Sequence, residues 1–170
     1  MKVNGKDYRT VWMEGSTVCL IEQNLLPFEF RIFRAESYRD TCTVISTMIV
    51  RGAGAIGATA GYAMAQAFIE GGHKNSEAYD FIENARQQIE GTRPTAQNLF
   101  YAVERVYRAG RAATAKLSAE CAIEEACKIA DEDSAACKRI GELGNKLIKH
   151  GDRIETHCNA GWLAFVDYGS

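Results

Sequence analysis

Residues Met48 to Phe68 read "MIVRGAGAIGATAGYAMAQAF", placing one arginine and four glycines between two apolar runs. The chain has fifteen glycines and two prolines, so this is a concentration of backbone freedom with a cation at its edge. Glycine costs helix stability, and clustering it suggests that something approaches the backbone closely. Two readings stand side by side: a helix–helix corner packed on small residues, or an anion site. In the second, Arg51 and the free N–H groups of a helix start in "RGAGAIG" together favour a negative group. The stretch lacks the Walker lysine pattern and does not follow a strand, so neither nucleotide fingerprint applies. From Ala55 onward, "AIGATAGYAMAQAFIEGG" predicts a helix rich in small residues, buried on most sides and stopped by Gly71–Gly72.

Working back from this helix, Ser37 is a plausible N-cap for a helix over "YRDTCTVISTMIV", with Cys42, Val44, Ile45, Met48 and Ile49 as its apolar stripe. Before it lie three short segments rich in β-branched and aromatic residues: "YRTVWMEG", "STVCLIEQ" and "FEFRIFR". In the last, Phe28, Phe30 and Ile32 alternate with Glu29, Arg31 and Phe33. A small antiparallel sheet is expected.

Working forward, "SEAYDFIENARQQIEG" predicts a helix capped by Asn75 or Ser76 and ended by Gly91. "RPTAQNLFYAVERVYRAG" predicts another, with Pro94 in its first turn, where the missing N–H costs nothing. Ser118 to about Lys149 reads as one long helix or two. Leu117, Ala122, Ile129, Cys137, Ile140, Leu143, Leu147 and Ile148 mark its inward side. The last twenty residues change character: "RIETHCN" reads as a strand and "AGWLAFVDYG" as the start of an apolar helix. A parallel strand needs sister strands and covering helices. The expected fold class is therefore α+β in two parts. Residues 1–150 form a small antiparallel sheet followed by a helical bundle domain. Residues 151–170 form the first β-strand and helix start of a truncated Rossmann-like α/β domain, whose remainder lies outside the chain. An apolar face around Trp162, Leu163, Phe165 and Val166 is then expected to be exposed.

Composition bounds the function. Of 170 residues, 46% are apolar and 25% charged, with a net charge of -2. Basic and acidic residues interleave along the helices, which disfavours a nucleic-acid partner. No apolar run reaches membrane-spanning length, and the first fifteen residues lack a signal-peptide core. The six cysteines form no CxxC pair and only three histidines occur, so neither a metal site nor a disulfide framework is supported. A cytoplasmic protein with reduced thiols is expected.

Two further places could carry chemistry. In "TRPTAQN", Arg93 also precedes a helix start; with Arg51 it could hold a phosphorylated ligand from two sides, or it could simply pair with a surface carboxylate. In "THCNAG", Cys158 would sit at the carboxyl end of a strand, where open α/β sheets bind ligands, and a following helix N-terminus would favour the thiolate. The alternative is a buried structural cysteine. His157 would face the other way.

Together "MIVRGAGAIG", "TRPTAQNLFYAVERV" and "THCNAGWLA", in this order and spacing, resemble the methylthioribose-1-phosphate isomerases. Relatives of these enzymes include archaeal ribose-1,5-bisphosphate isomerase and the regulatory subunits of eukaryotic initiation factor 2B. The opening "VWMEGSTVCLIEQNLLPFEF" is similar to the family's N-terminal strands, and the likeness runs over essentially the whole chain. It implies an aldose-to-ketose isomerase without cofactor, acting on a phosphorylated pentose in methionine salvage and homodimeric at full length. Alternatives are a related sugar phosphate (5-deoxyribose 1-phosphate or ribose 1,5-bisphosphate) or a non-catalytic subunit of initiation-factor type. By the same resemblance Arg51, Gly52 and Ala53 contact the phosphosugar, Arg93 is a second substrate-binding arginine, and Cys158 is the catalytic cysteine. The family's general-acid aspartate lies in its C-terminal Rossmann-like domain, so the 170 residues alone are expected to be inactive. Two departures bear on the pocket: Gly54 stands where proline is usual after "RGA", and Trp162 where a small residue is commoner.

Overall fold

The computed structural model describes residues 2–72, 77–114 and 116–170. Five short strands come first: β1 (Lys2–Val3), β2 (Lys6–Asp7), β3 (Val11–Glu14), β4 (Thr17–Ile21) and β5 (Ile32–Ala35). β1 and β2 form a small hairpin turned by Asn4–Gly5, both with positive φ. β3, β4 and β5 form an antiparallel sheet in that order, with Leu20 opposite Val11 on one side and Phe33 on the other. The expected sheet is present, but "FEFRIFR" contributes less of it than its alternation suggests. Pairing begins at Ile32, and Phe28 lies outside the ladder, 96% exposed.

Five helices follow: α1 (Tyr38–Ser46), α2 (Ala53–Gly71), α3 (Ala78–Gly91), α4 (Gln97–Ala112) and α5 (Ser118–Gly144). α1 opens as expected on Ser37, whose Oγ accepts from the backbone N–H of Asp40 while the Asp40 side chain accepts from the Ser37 N–H. The cap expected at Asn75 or Ser76 lies outside the described residues. Pro94 is in the turn ahead of α4 and not in its first helical turn, because the helix starts at Gln97.

α2 is the axis of the molecule. All its residues except Ala53, Ile69 and Glu70 are buried, and it packs against α1, α3, α4, α5 and the sheet. Its alanines and glycines make this possible, since only small side chains let so many neighbours approach at once. The larger residues, Tyr62, Met64 and Phe68, fill the space left between those partners. Burying a helix on every side also buries any polar residue it carries, and Gln66 is 1% exposed. Its Nε2 donates to the carbonyls of Ser16 and Ala35, both at 2.9 Å, and its Oε1 accepts from Thr41 Oγ1 at 2.6 Å. One amide thus ties α2 to the β3–β4 turn, to the end of β5 and to α1.

α5 is one helix. Ala122, Ala126, Ile129, Ala130, Ser134 and Cys137 face inward. The expected stripe does not continue: Ile140, Leu143, Leu147 and Ile148 are exposed, as is Leu117. At 27 residues α5 is about 40 Å long at 1.5 Å per residue, and it outruns its 16- and 19-residue neighbours α4 and α2.

The tail departs from expectation most. Residues 153–159 form no strand, and Ile154 is 67% exposed. No sister strand lies beside them among the described residues, and an extended segment without a partner makes no ladder. The helix start is a single 3-10 turn at Trp162–Ala164. The expected exposed apolar face is also absent: Ala164 and Val166 are fully buried, and Trp162, Leu163 and Phe165 are half-buried.

Replacing Gln66 with Leu keeps the volume but leaves the carbonyls of Ser16 and Ala35 without this donor, while Thr41 can still donate to Ser37 O. The expected loss is roughly 3 kcal/mol, read from the shift in urea midpoint at unchanged slope.

Candidate functional site

Between α1 and α2 the chain turns through Met48 (φ 60°) and Gly52 (φ 92°), both in left-handed backbone. The conformation of Gly52 suits glycine alone, and contact requires it too. A Cβ there would stand 2.2 Å from Ala164 Cα. The "RGAG" turn and the tail therefore touch backbone to backbone. Glycine two residues on does the same for side chains: a Cβ on Gly54 would meet Asp133 Oδ1 at 2.3 Å and Phe165 Cδ1 at 2.7 Å. A turn further, a Cβ on Gly57 would stand 3.0 Å from Asn98 Cβ in the first turn of α4. The first two turns of α2 are thus in contact with the tail six residues after Cys158 and with α4 five residues after Arg93.

Polar side chains fix this arrangement. Gln23, in the 3-10 turn Gln23–Leu25 after β4, donates its backbone N–H to Ile49 O at 3.0 Å and its Nε2 to Leu163 O at 2.9 Å. Its neighbour Asn24 accepts from Arg51 Nη2 at 2.8 Å, and Arg51 Nε donates to Met48 O at 3.2 Å. One short turn therefore holds both the arginine and the tail. Arg51 is exposed, and these two bonds use two of its five N–H donors. On the far side, Thr10 donates its N–H to Val166 O at 2.8 Å and its Oγ1 to Trp162 O at 3.3 Å. Asp133 Oδ2 accepts from Val166 N at 2.7 Å. Burial pushes the Asp133 carboxyl above its usual range, and that amide draws it partly back.

The residues expected to carry the chemistry are placed as follows. Ala53 is the exposed first residue of α2, and Gly52 caps that helix without any side-chain bond. Arg93 is half-buried in the turn before α4. Cys158 is exposed, with left-handed backbone (φ 59°). The helix expected behind the cysteine is missing; the nearest is the three-residue turn at Trp162. The segments carrying the three motifs meet around α2, but the side chains of Arg51, Arg93 and Cys158 line neither of the two cavities beside those segments. A cavity of about 260 Å³ opens beside Gly54, Gly57, Asn98, Tyr101 and Asp133. A larger one, about 760 Å³, lies between the β1–β2 hairpin and the tail, lined by Lys2, Tyr8, Arg9, Trp162 and Asp167 among others. It includes neither arginine motif, so volume alone does not mark the site. No group of three or more potential metal ligands occurs among the described residues. Gln23, Asn24 and Asp133 were not singled out by the sequence, although the first two stand inside "EQNLLP".

Residues 49–166 match the Initiation factor 2 subunit family. The methylthioribose-1-phosphate isomerase of Methylorubrum populi is 44% identical over the whole of this chain and 48% of its own length. That of Roseiflexus castenholzii is 40% identical over 96% of this chain and 48% of its own. Among solved structures, 5-methylthioribose 1-phosphate isomerase from Pyrococcus horikoshii superposes with a TM-score of 0.85 at 37% identity, covering 96% of this chain and 47% of that one. The delta subunit of translation initiation factor eIF-2B from A. fulgidus gives 0.83 at 31% identity, over 96% and 48%. The chain spans about half the length of these relatives.

Gly52→Ala should destabilise the fold by about 3 kcal/mol, since it combines a strained φ with an overlap against backbone. Gly141→Ala, in the interior of α5 with nothing within 4 Å, should stabilise it. The gain there is about 1 kcal/mol. Urea unfolding of both variants checks the contrast.

Proposed function

Since the chain belongs to the Initiation factor 2 subunit family, we propose that it supplies the phosphosugar-binding part of an aldose-1-phosphate to ketose-1-phosphate isomerase, with 5-methylthioribose 1-phosphate as substrate and 5-methylthioribulose 1-phosphate as product. Its support is the 40–44% identity, over 96–100% of this chain, to enzymes of that name. The way the "RGAG" turn, the start of α4 and the tail gather at one end of α2 agrees with it.

The chemistry asks for what these residues offer. The anomeric oxygen of an aldose 1-phosphate is an ester, so the ring cannot open as a free sugar's does. The ring oxygen must gain a proton as its bond to C1 breaks. One hydrogen then moves from C2 to C1, and the C2 hydroxyl loses its proton to become the carbonyl. Arg51 and Arg93 neutralise the phosphate, with the backbone of Gly52 and Ala53 at the positive end of α2. Cys158 holds or moves a proton at the reacting carbons. The acid that protonates the ring oxygen belongs, in this reading, to a Rossmann-like α/β half, in which residues 153–159 gain the neighbours that make them a strand. The protein then acts as a cytoplasmic homodimer, with no cofactor, nucleic acid or membrane involved.

A second reading has one observation behind it, the close superposition on an initiation-factor subunit: the fold serves as a binding module without catalysis. The gene product carrying this chain, incubated with 5-methylthioribose 1-phosphate, separates the two. Turnover is expected, with Cys158→Ser lowering kcat by about a thousandfold and Arg51→Ala chiefly raising KM. Unchanged turnover in the serine variant removes the cysteine's role. Absence of turnover on any sugar 1-phosphate, with tight binding to a larger partner, favours the module.

A further inference from the structure

The geometry points to Asp133 as a positioning residue that sets the spacing between the Arg51–Ala53 turn and the segment following Cys158; its effect on turnover rests on the isomerase reading above, its structural part on contacts alone. Asp133 projects from α5, on neither of the elements it joins. Its Oδ2 accepts from Val166 N at 2.7 Å. Its Oδ1 occupies the space a Cβ on Gly54 would take, at 2.3 Å. One carboxylate thus lies between the tail and the first turn of α2, a helix whose N-cap, Gly52, has no side chain with which to cap it. A negative group is favoured at that end of a helix. The tail's other anchors, Gln23 and Thr10, bond its carbonyls at Leu163, Trp162 and Val166. Among these anchors Asp133 is the one that takes a tail N–H, and it alone holds the tail from the α5 side. Gly54 and Asp133 are consequently a coupled pair: any side chain at 54 displaces the carboxylate and loosens Val166.

The test uses the whole gene product with Asp133→Ala, Asp133→Asn, Gly54→Ala and the Asp133→Ala/Gly54→Ala double substitution. Two quantities are read, the exchange rate of the Val166 amide and the kinetics on 5-methylthioribose 1-phosphate. Asp133→Ala should speed Val166 exchange at least tenfold, and Asp133→Asn, which keeps a carbonyl acceptor, should restore most of the protection. Gly54→Ala, whose methyl also meets Phe165, should speed it as well, but by less in the Asp133→Ala background than alone. Asp133→Ala should lower kcat by about tenfold or more while KM moves less than twofold, because the reacting groups are misplaced while phosphate binding persists. Unchanged Val166 exchange in Asp133→Ala overturns the proposal, as do fully additive effects of the two substitutions. If Asp133→Ala does not fold, Asp133→Ser decides, since its shorter side chain falls short of Val166 N: faster Val166 exchange supports the role and unchanged exchange overturns it. Coupled exchange in a protein that never turns over the sugar upholds the spacing role and rejects the isomerase reading instead.

Discussion

The burial of α2 on all sides is the constraint from which the rest follows. A helix can have five packed neighbours only if its own surface is nearly bare of side chains, and α2 meets this with alanine and glycine over most of its length. At Gly61 the methyl of Ala102 and a methyl of Val106 would stand 3.6 and 3.7 Å from an added Cβ, ordinary contact distances. The same helix cannot end in solvent at both termini. At its C-terminal end Glu70 reaches back to accept the N–H of Tyr38 at 2.8 Å, and the ring of Phe68 fills the notch left by Gly110. At its N-terminal end three distant parts of the chain come together.

The outer helices are held differently. Arg86 pairs with Glu90 and Glu104, and Arg105 with Glu125 and Glu132 across α4 and α5. Arg86 also covers the ring of Tyr107, and Arg105 that of Tyr101. Arg105 and Glu125 are mostly withdrawn from solvent, where the desolvation of both charges offsets much of the gain from pairing. These pairs select the register of α3, α4 and α5 around an axis whose apolar burial already provides the stability.

Legibility in the sequence followed the range of the forces involved. α1 could be read because its capping box closes within four residues, and α2 because a long run of small residues has few other uses. "VNGKD" carried an equally local signal, an Asn–Gly turn, and the β1–β2 hairpin there went unread. The alternation of "FEFRIFR" misled because period two states which residues could share a face, not where pairing begins. Helical period placed the inner face of α5 correctly from Ala122 to Cys137, but could not register that α2 and α4 end before it does. For the site, the arginine turns and the cysteine stood out by residue type. Their supports did not: Gln23 meets Leu163 across 140 positions and Asp133 meets Val166 across 33. A polar residue whose partner is that far away looks like any surface amide or acid until the chain is folded. The strand expected at 153–159 failed for a related reason, since a ladder is a property of two segments.

The distribution of sulfur has a chemical consequence. Cys19 and Cys137 are buried, Cys42, Cys121 and Cys127 half-buried, and Cys158 is exposed. Burial pushes the thiols of Cys42 and Cys137 up to about 11, where they stay protonated and inert at neutral pH. An electrophile or peroxide reaching this protein therefore meets the sulfur of the tail before any sulfur of the bundle. Oxidation at that exposed position would leave the packed bundle standing.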